Sequence, residues 1–236
     1  MRLDKYLTSL ELGSRSQVKE LIKKGKIKVN DKIINKPEYH IDEDNDKISV
    51  EDKILEYSRF YYYMLNKPAG VLSEVSDKNE KTVIDILDVS PKKGLFPVGR
   101  LDKDTVGLLI ITNDGELAHN LLSPNRHIDK KYYVELDGEL IDTDIELFKN
   151  GFDIGEEKLT KPAKLEILEN RSKAFVTITE GKYHQVKRMF KAINLKVTYL
   201  KRVSMGEIVL DESLDFGEYR LLNDREIELL KKHKDI

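Results

Sequence analysis

The chain contains no cysteine, which excludes disulfide cross-links, thiol catalysis and thiolate metal sites. It has no run approaching the roughly 18 unbroken apolar residues of a membrane-spanning helix. The opening stretch MRLDKYLTSLEL carries scattered charges where a secretory signal would have an apolar core. These absences predict a soluble protein of the cytoplasm, with no membrane association. Nucleotide-loop patterns are missing too. With neither G-x-x-x-x-G-K-[ST] nor G-x-G-x-x-G present, ATPase and dinucleotide chemistry have no footing. The 5 histidines form no H-x-x-x-H pair. Asp102 and Asp104 have the spacing that opens a calcium loop, but the residues after them lack its central glycine and closing glutamate. No metal and no cofactor are expected.

Charge, by contrast, is abundant. Asp, Glu, Lys and Arg make up 36% of the 236 residues, well above the roughly 25% of an average globular domain. The net charge of −2 argues against a nucleic-acid partner only on average, because the charges are sorted along the chain. Residues 15–36 hold eight basic side chains against two acidic ones, and residues 37–58 hold eight acidic against two basic. Residues 181–202 hold seven basic side chains and no acidic one. Each basic block can act on phosphates within a Debye length, roughly 8 Å at physiological salt. A solvated surface accounts for such blocks equally well from charge alone.

The hydrophobic pattern divides the chain. Leu3, Tyr6, Leu7 and Leu10 recur at helical spacing up to Gly13. Ser14 then opens a second helix, with Gln17 completing a capping-box pattern and Gly25 ending it. Arg15, Lys19 and Lys23 fall four apart, so they form a basic ridge along that helix. The alternation of Ile27 and Val29 with Lys26 and Lys28 predicts a strand, with a hairpin turn at Asn30-Asp31. DKISV, at 46–50, predicts another. We expect a domain boundary between residues 56 and 57, after the acidic stretch.

Beyond it, FYYYMLNKPAG, TVGLLIIT, KKYYVEL, AKLEIL, KAFVTIT and KVTYLKRVSMGEIVL read as strands or extended chain. TVIDIL, ELAHNLLS and YHQVKRMFKAI read as helices. The fold class is therefore α+β. A small helix-pair and hairpin domain over 1–56 precedes a domain over 57–236 built on a mixed, largely antiparallel sheet.

One stretch stands out chemically. GRLDKDTVGLLIIT, residues 99–112, crowds Arg100, Asp102, Lys103 and Asp104 against an apolar strand. Two residues apart on extended chain, the aspartates should point to opposite faces, leaving one for a pocket and one for solvent. A salt-bridged turn explains the stretch as well as a reactive site does. In the second basic block, Val186, Met189, Phe190 and Ile193 give the apolar face of a helix, with Lys187 on its flank and His184 and Gln185 at its entry. An ordinary surface helix has the same pattern. Tyr132 and Tyr133 take opposite faces of their strand, so one is core and the other is free to meet a ligand.

Taken together these segments carry a resemblance. RLDKYL with GSRSQVKELIKKGKIKVND resembles the small RNA-binding domain named after ribosomal protein S-four. GRLDKDTVGLLIITNDGELAH, DKKYYV and EGKYHQVKRM resemble, in the right order, the motifs of pseudouridine synthases of the RsuA family. The G-R-L-D-x-x-T-x-G-L element is highly specific, and the resemblance covers essentially the whole chain. The HQVKRM form is similar to the branch acting on small-subunit rRNA, since other branches more often carry arginine at the Lys187 position.

The resemblance implies a cofactor-free isomerisation of uridine to pseudouridine in ribosomal RNA, 16S rRNA by branch, on a base flipped out of its stack. It implies Asp102 as the catalytic aspartate and Arg100 as the side chain that fills the place of the extracted nucleotide. Tyr132 would stack on the uracil, Lys187 would lie near the aspartate, and Leu200 would wall the pocket. Asp104 matches no catalytic position. Arg2, Arg15, Lys19, Lys23, Lys26 and Lys28 would grip RNA. The partner would be rRNA, free or within an assembling small subunit, and the enzyme a monomer. A sister branch acting on 23S rRNA and a non-catalytic ribosome-assembly factor are the alternatives.

Overall fold

The computed structural model describes residues 1–43, 45–51, 53–55, 60–123 and 126–232. It divides into two compact units, Met1–Arg59 with Asp88–Gly94, and Phe60–Leu87 with Leu95–Ile236. The boundary expected between residues 56 and 57 lies outside the described residues. Segment 88–94 falls in the first unit rather than the second, and its Ser90 hydroxyl donates to Glu11 at 3.3 Å.

In the first unit, α1 (Leu3–Ser9) and α2 (Arg15–Lys23) precede β1 (Ile27–Val29), β2 (Lys32–Ile33), β3 (Ile48–Val50) and β4 (Lys53–Leu55). Ser14 and Gln17 cap α2 reciprocally: the Gln17 N–H donates to Ser14 Oγ and the Ser14 N–H to Gln17 Oε1. Asn30 and Asp31 both have positive φ, which gives the β1–β2 hairpin the primed turn that matches strand twist. Leu3, Tyr6, Leu7, Val18, Ile22, Ile27, Val29, Ile41 and Ile48 form the core.

The second unit runs β5 (Tyr62–Lys67), β6 (Phe96–Pro97), β7 (Val106–Thr112), α3 (Gly115–Leu122), β8 (Lys130–Leu136), α4 (Asp142–Asn150), β9 (Lys164–Ile167), β10 (Lys173–Ile178), α5 (Gln185–Ala192), β11 (Val197–Met205), β12 (Ile208–Val209), β13 (Tyr219–Leu221) and α6 (Asp224–Lys232). The sheet order is β13-β5-β7-β11-β8-β10-β9, with β6 on β7 and β12 on β11. Among the named strands of this sheet the β7–β11 pair is parallel, and the other described pairings are antiparallel. The helix expected at TVIDIL is instead a turn. Thr82 and Asp85 close it on each other, with the Thr82 N–H and hydroxyl both donating to Asp85 Oδ2 at 2.8 and 2.9 Å. Those local bonds compete with helix propagation. Among the described residues no helix is long and apolar enough to cross a membrane.

Two features position the site. All seven residues of β7 are buried, as its central place and unbroken apolar run require. Its Gly107, at φ +99, lies where a Cβ would sit 2.3 Å from the Arg202 carbonyl. Only glycine allows β7 and β11 to approach so closely there. The register then sets Val106 beside Lys201 and Gly107 beside Arg202, while Leu200 faces Val134 and Arg202 faces Tyr132 across β11 and β8. The start of β7 and the middle of β11 and β8 thus meet at one place in the sheet.

Candidate active site

The chain entering β7 is pinned before it reaches the strand. The Leu101 N–H donates to Ser73 Oγ at 3.1 Å, and the Ser73 hydroxyl donates to the Leu101 carbonyl at 2.8 Å. Thr105 N–H donates to the Asp102 carbonyl at 3.1 Å, closing a turn over 102–105. Lys67, the last residue of β5 and 0% exposed, grips this turn. Its ammonium donates to the carbonyls of Asp102, Lys103 and Thr105 at 3.2, 3.3 and 2.9 Å, and to that of Pro68 at 3.0 Å. Burial pulls the Lys67 pKa down to about 8, against the opposing charges of Asp104 and Asp102.

Helix α5 supplies the other half. Its entry residue His184 adopts left-handed backbone, φ 48 and ψ 33, and its ring stacks on Tyr183 at 3.8 Å. The buried Gln185 ties the preceding loop to the helix, donating to Glu180 at 2.9 Å and accepting from the Lys182 N–H at 2.9 Å. One turn on, Lys187 Nζ stands 2.8 Å from Asp102 Oδ2 and 2.6 Å from Asp104 Oδ1. His184 Nε2 is 3.5 Å from Asp102 Oδ1. Burial lowers the Lys187 pKa, but the hydrogen bonds and charges of the two aspartates outweigh it and leave it raised. Asp104 shows the converse: burial raises its pKa, and Lys187 brings it below the ordinary value.

The expectation that Asp102 and Asp104 point apart is thereby corrected. They lie on a turn, not on extended chain, so both carboxylates reach one ammonium. They are not equivalent, however. The Asp102 side chain is 25% exposed and Asp104 is 74% exposed. Asp102 lines a cavity of about 80 Å³ that Asp104 does not.

Arg100, Asp102, Tyr132, Lys187 and Leu200 all line that cavity, joined by His184. Tyr132 and Leu200 are buried and present apolar surface to it. Tyr133 takes the opposite face and donates its hydroxyl to Glu135 at 2.7 Å. Arg100 sits at the rim, 74% exposed, with Nη2 2.8 Å from Glu74 Oε1. Residue chemistry in sequence did not reveal Lys67, Ser73 or the approach of His184 to Asp102. A lysine two residues beyond the apolar run YYML, in YYMLNK, is the one visible sign of Lys67.

In the first unit, Arg2, Arg15 and Lys19 line one recess of about 440 Å³ together with Lys5 and Lys93. Lys23, Lys26 and Lys28 lie outside it, and Lys26 pairs with Glu51 at 2.9 Å. Lys5 and Lys93 were not anticipated; Lys93 arrives on segment 88–94.

A carboxylate and an ammonium held together at a cavity walled in part by Tyr132 and Leu200, on a mixed sheet in a chain that also carries a helix-pair unit, define the class. The model of the RNA pseudouridylate synthase family matches residues 61–192 and that of the S4 domain matches residues 1–48. The chain belongs to the RsuA family of RNA pseudouridine synthases. It is 45% identical to the uncharacterized RNA pseudouridine synthase YtzG of Bacillus subtilis, over 98% of this chain and 99% of that one. It is 40% identical to ribosomal small subunit pseudouridine synthase A of Haemophilus influenzae, over 98% and 100%. A pseudouridylate synthase solved by crystallography matches it with a TM-score of 0.70 at 40% identity, over 98% and 99%.

Proposed function

We propose that this protein converts a uridine of small-subunit ribosomal RNA to pseudouridine, with Asp102 as the catalytic carboxylate. The observation that carries this reading is the Asp102–Lys187 pair, 2.8 Å apart, at a cavity walled by Tyr132 and Leu200. In the reaction the bond from ribose C1′ to N1 breaks, the uracil turns, and C5 joins C1′. The proton on C5 is released and N1 gains one. Atoms and electrons balance within the nucleotide, so the chemistry calls for a base and a positioned carboxylate rather than an electron carrier.

Each side chain has a task in that sequence. A uracil inside a stacked helix cannot reach Asp102, so the target nucleotide is flipped into the cavity. Tyr132 offers it a stacking surface, a contact worth on the order of 1–3 kcal/mol per base. Arg100, exposed at the rim, enters the space the nucleotide leaves. Lys187 sets its ammonium 2.8 Å from the Asp102 carboxylate as a counter-charge. His184 adds a second nitrogen within reach of the same carboxylate.

Relatives whose names specify a target, among them those of Haemophilus influenzae and Escherichia coli, are named for the small ribosomal subunit, and this supports 16S rRNA as the substrate. Mapping pseudouridine in 16S and 23S rRNA from cells with and without the gene tests the assignment. One site in 16S rRNA should disappear; loss of a 23S site instead would transfer the protein to another branch, and no loss in either would refute it.

The basic recess of the first unit gives RNA a second hold. Replacing Arg15 and Lys19 together by alanine should weaken rRNA binding. It should also reduce the slope of log affinity against log salt by roughly 1.5, as expected for two lost phosphate contacts. Filter binding across a salt series measures both, and an unchanged slope would make the recess a merely solvated surface.

A further inference from the structure

A second cavity of about 180 Å³ adjoins the catalytic one and shares Arg100, Tyr132 and Gly181 with it. Its remaining lining includes Lys130, Arg202, Ser123, Thr179 and Glu180. The mechanism above leaves these residues unused.

Arg202 is the unusual member. It is a cation only 2% exposed, yet it makes no ion pair among the described residues. Its Nε donates to the Leu108 carbonyl at 2.8 Å, and its buried Nη2 has no partner. A guanidinium offers five N–H donors, and burying it with most of them unanswered is unfavourable. Lys130 lies close enough for the Arg202 charge to disfavour its own. Burial and the Arg202 charge bring the Lys130 pKa down to about 8, against the pull of Asp129 and Glu180. The Lys130 ammonium donates to the Ile128 carbonyl at 3.2 Å and, like Arg202, has no carboxylate within ion-pair distance among the described residues. Glu180, the acidic member of the lining, has its Oε1 committed to the Lys161 N–H at 2.8 Å and to Gln185 at 2.9 Å. The hydroxyls of Ser123 and Thr179 add neutral donors at the same wall.

A buried Arg202 and a half-buried Lys130 with spare donors, beside hydroxyls and with no carboxylate in ion-pair distance among the described residues, are built to receive an oxyanion. The shared wall with the catalytic cavity says which one. We propose that this recess seats a phosphodiester of the substrate RNA adjacent to the flipped nucleotide, which extends the RNA-modifying reading given above. Holding the backbone there would fix the distance between the anchored strand and Asp102, so that the base enters in one register.

Methylphosphonate interference tests this. RNAs spanning the mapped uridine, each with one flanking phosphate replaced by a neutral methylphosphonate, are assayed for kcat/KM and, in parallel, for equilibrium binding. With the wild-type protein one position should lose about tenfold, the size of a charge-assisted hydrogen bond. Lys130→Gln should lose about tenfold on unmodified RNA, with no further loss at that position. Thr179→Val, a milder change at the same wall, should show a smaller version of this cancellation. Circular dichroism confirms that the variants are folded. Additive losses at every position in both variants would overturn the proposal. So would inhibition by inorganic phosphate at constant ionic strength without a position-specific effect, which would assign the recess to the free ion. Absence of turnover by the wild-type protein would refute the rRNA reading, whereas the binding arm would still decide the recess.

Discussion

Asp102→Asn should abolish tritium release from RNA labelled at uridine C5, a loss of about 10⁴-fold or more, as when a group that touches the reacting atoms is removed. RNA affinity should stay within about threefold, because the substitution keeps the shape and leaves the phosphate contacts intact. The contrast with its neighbour is the sharper part of the expectation. Both aspartates bind Lys187, so if the ion pair alone mattered, Asp102→Asn and Asp104→Asn would be equally harmful. Asp102 lines the cavity and Asp104 does not. Asp104→Asn should therefore reduce turnover only a few-fold, by freeing Lys187 from one of its two anions. Normal turnover by Asp102→Asn would sink the assignment; equal losses in both variants would move the function of the turn from chemistry to charge balance.

The unequal roles of these two residues also show how far the sequence could be read. Periodicity located the first helix pair, the Asn30-Asp31 turn, the buried strand 106–112 and helix α5, because each is written in local spacing and capping. The family motif brought Arg100, Asp102, Tyr132, Lys187 and Leu200 together, and all five line one cavity. Residue chemistry by itself could not choose between Asp102 and Asp104. The assumption of extended chain even put them on opposite faces, whereas the turn closed by Thr105 brings them to one lysine. Helix α4 escaped notice since Ile141 precedes it where a capping side chain would be expected; Asp144 reaches back to the Ile141 N–H instead. Helix α6 carries a local signal, Asn223 and Glu226 capping each other reciprocally.

Lys67 was illegible for a different reason. Three of its four partners are backbone carbonyls more than thirty residues away, and backbone groups leave no mark in a sequence. The substitution Lys67→Met keeps the length and apolar stem of the side chain and removes the donors. The turn carbonyls it served then stand buried without partners, at about 1–3 kcal/mol for each that finds no other donor. A loss of roughly 2–5 kcal/mol, or a fall in Tm of about 5–15 °C, is the expected result by calorimetry. Because the same ammonium sets the place of Asp102, kcat should drop about 100-fold even at temperatures where the variant is folded, while RNA binding is retained.

The pH dependence separates this role from mere packing. Lys67 titrates at about 8 in the folded protein against an ordinary value of 10.5. Between those pH values the unfolded chain binds a proton that the folded chain does not, so wild-type stability rises with pH across that window. The gain is on the order of 3 kcal/mol and is absent from Lys67→Met. Lys130 contributes a similar slope, but it does so in both proteins and cancels from their difference. The stability gap between wild type and Lys67→Met should therefore widen from pH 8 to pH 10.5 and be constant below pH 7. A gap independent of pH, or a variant with wild-type kcat, would show that the turn holds Asp102 in place without its lysine.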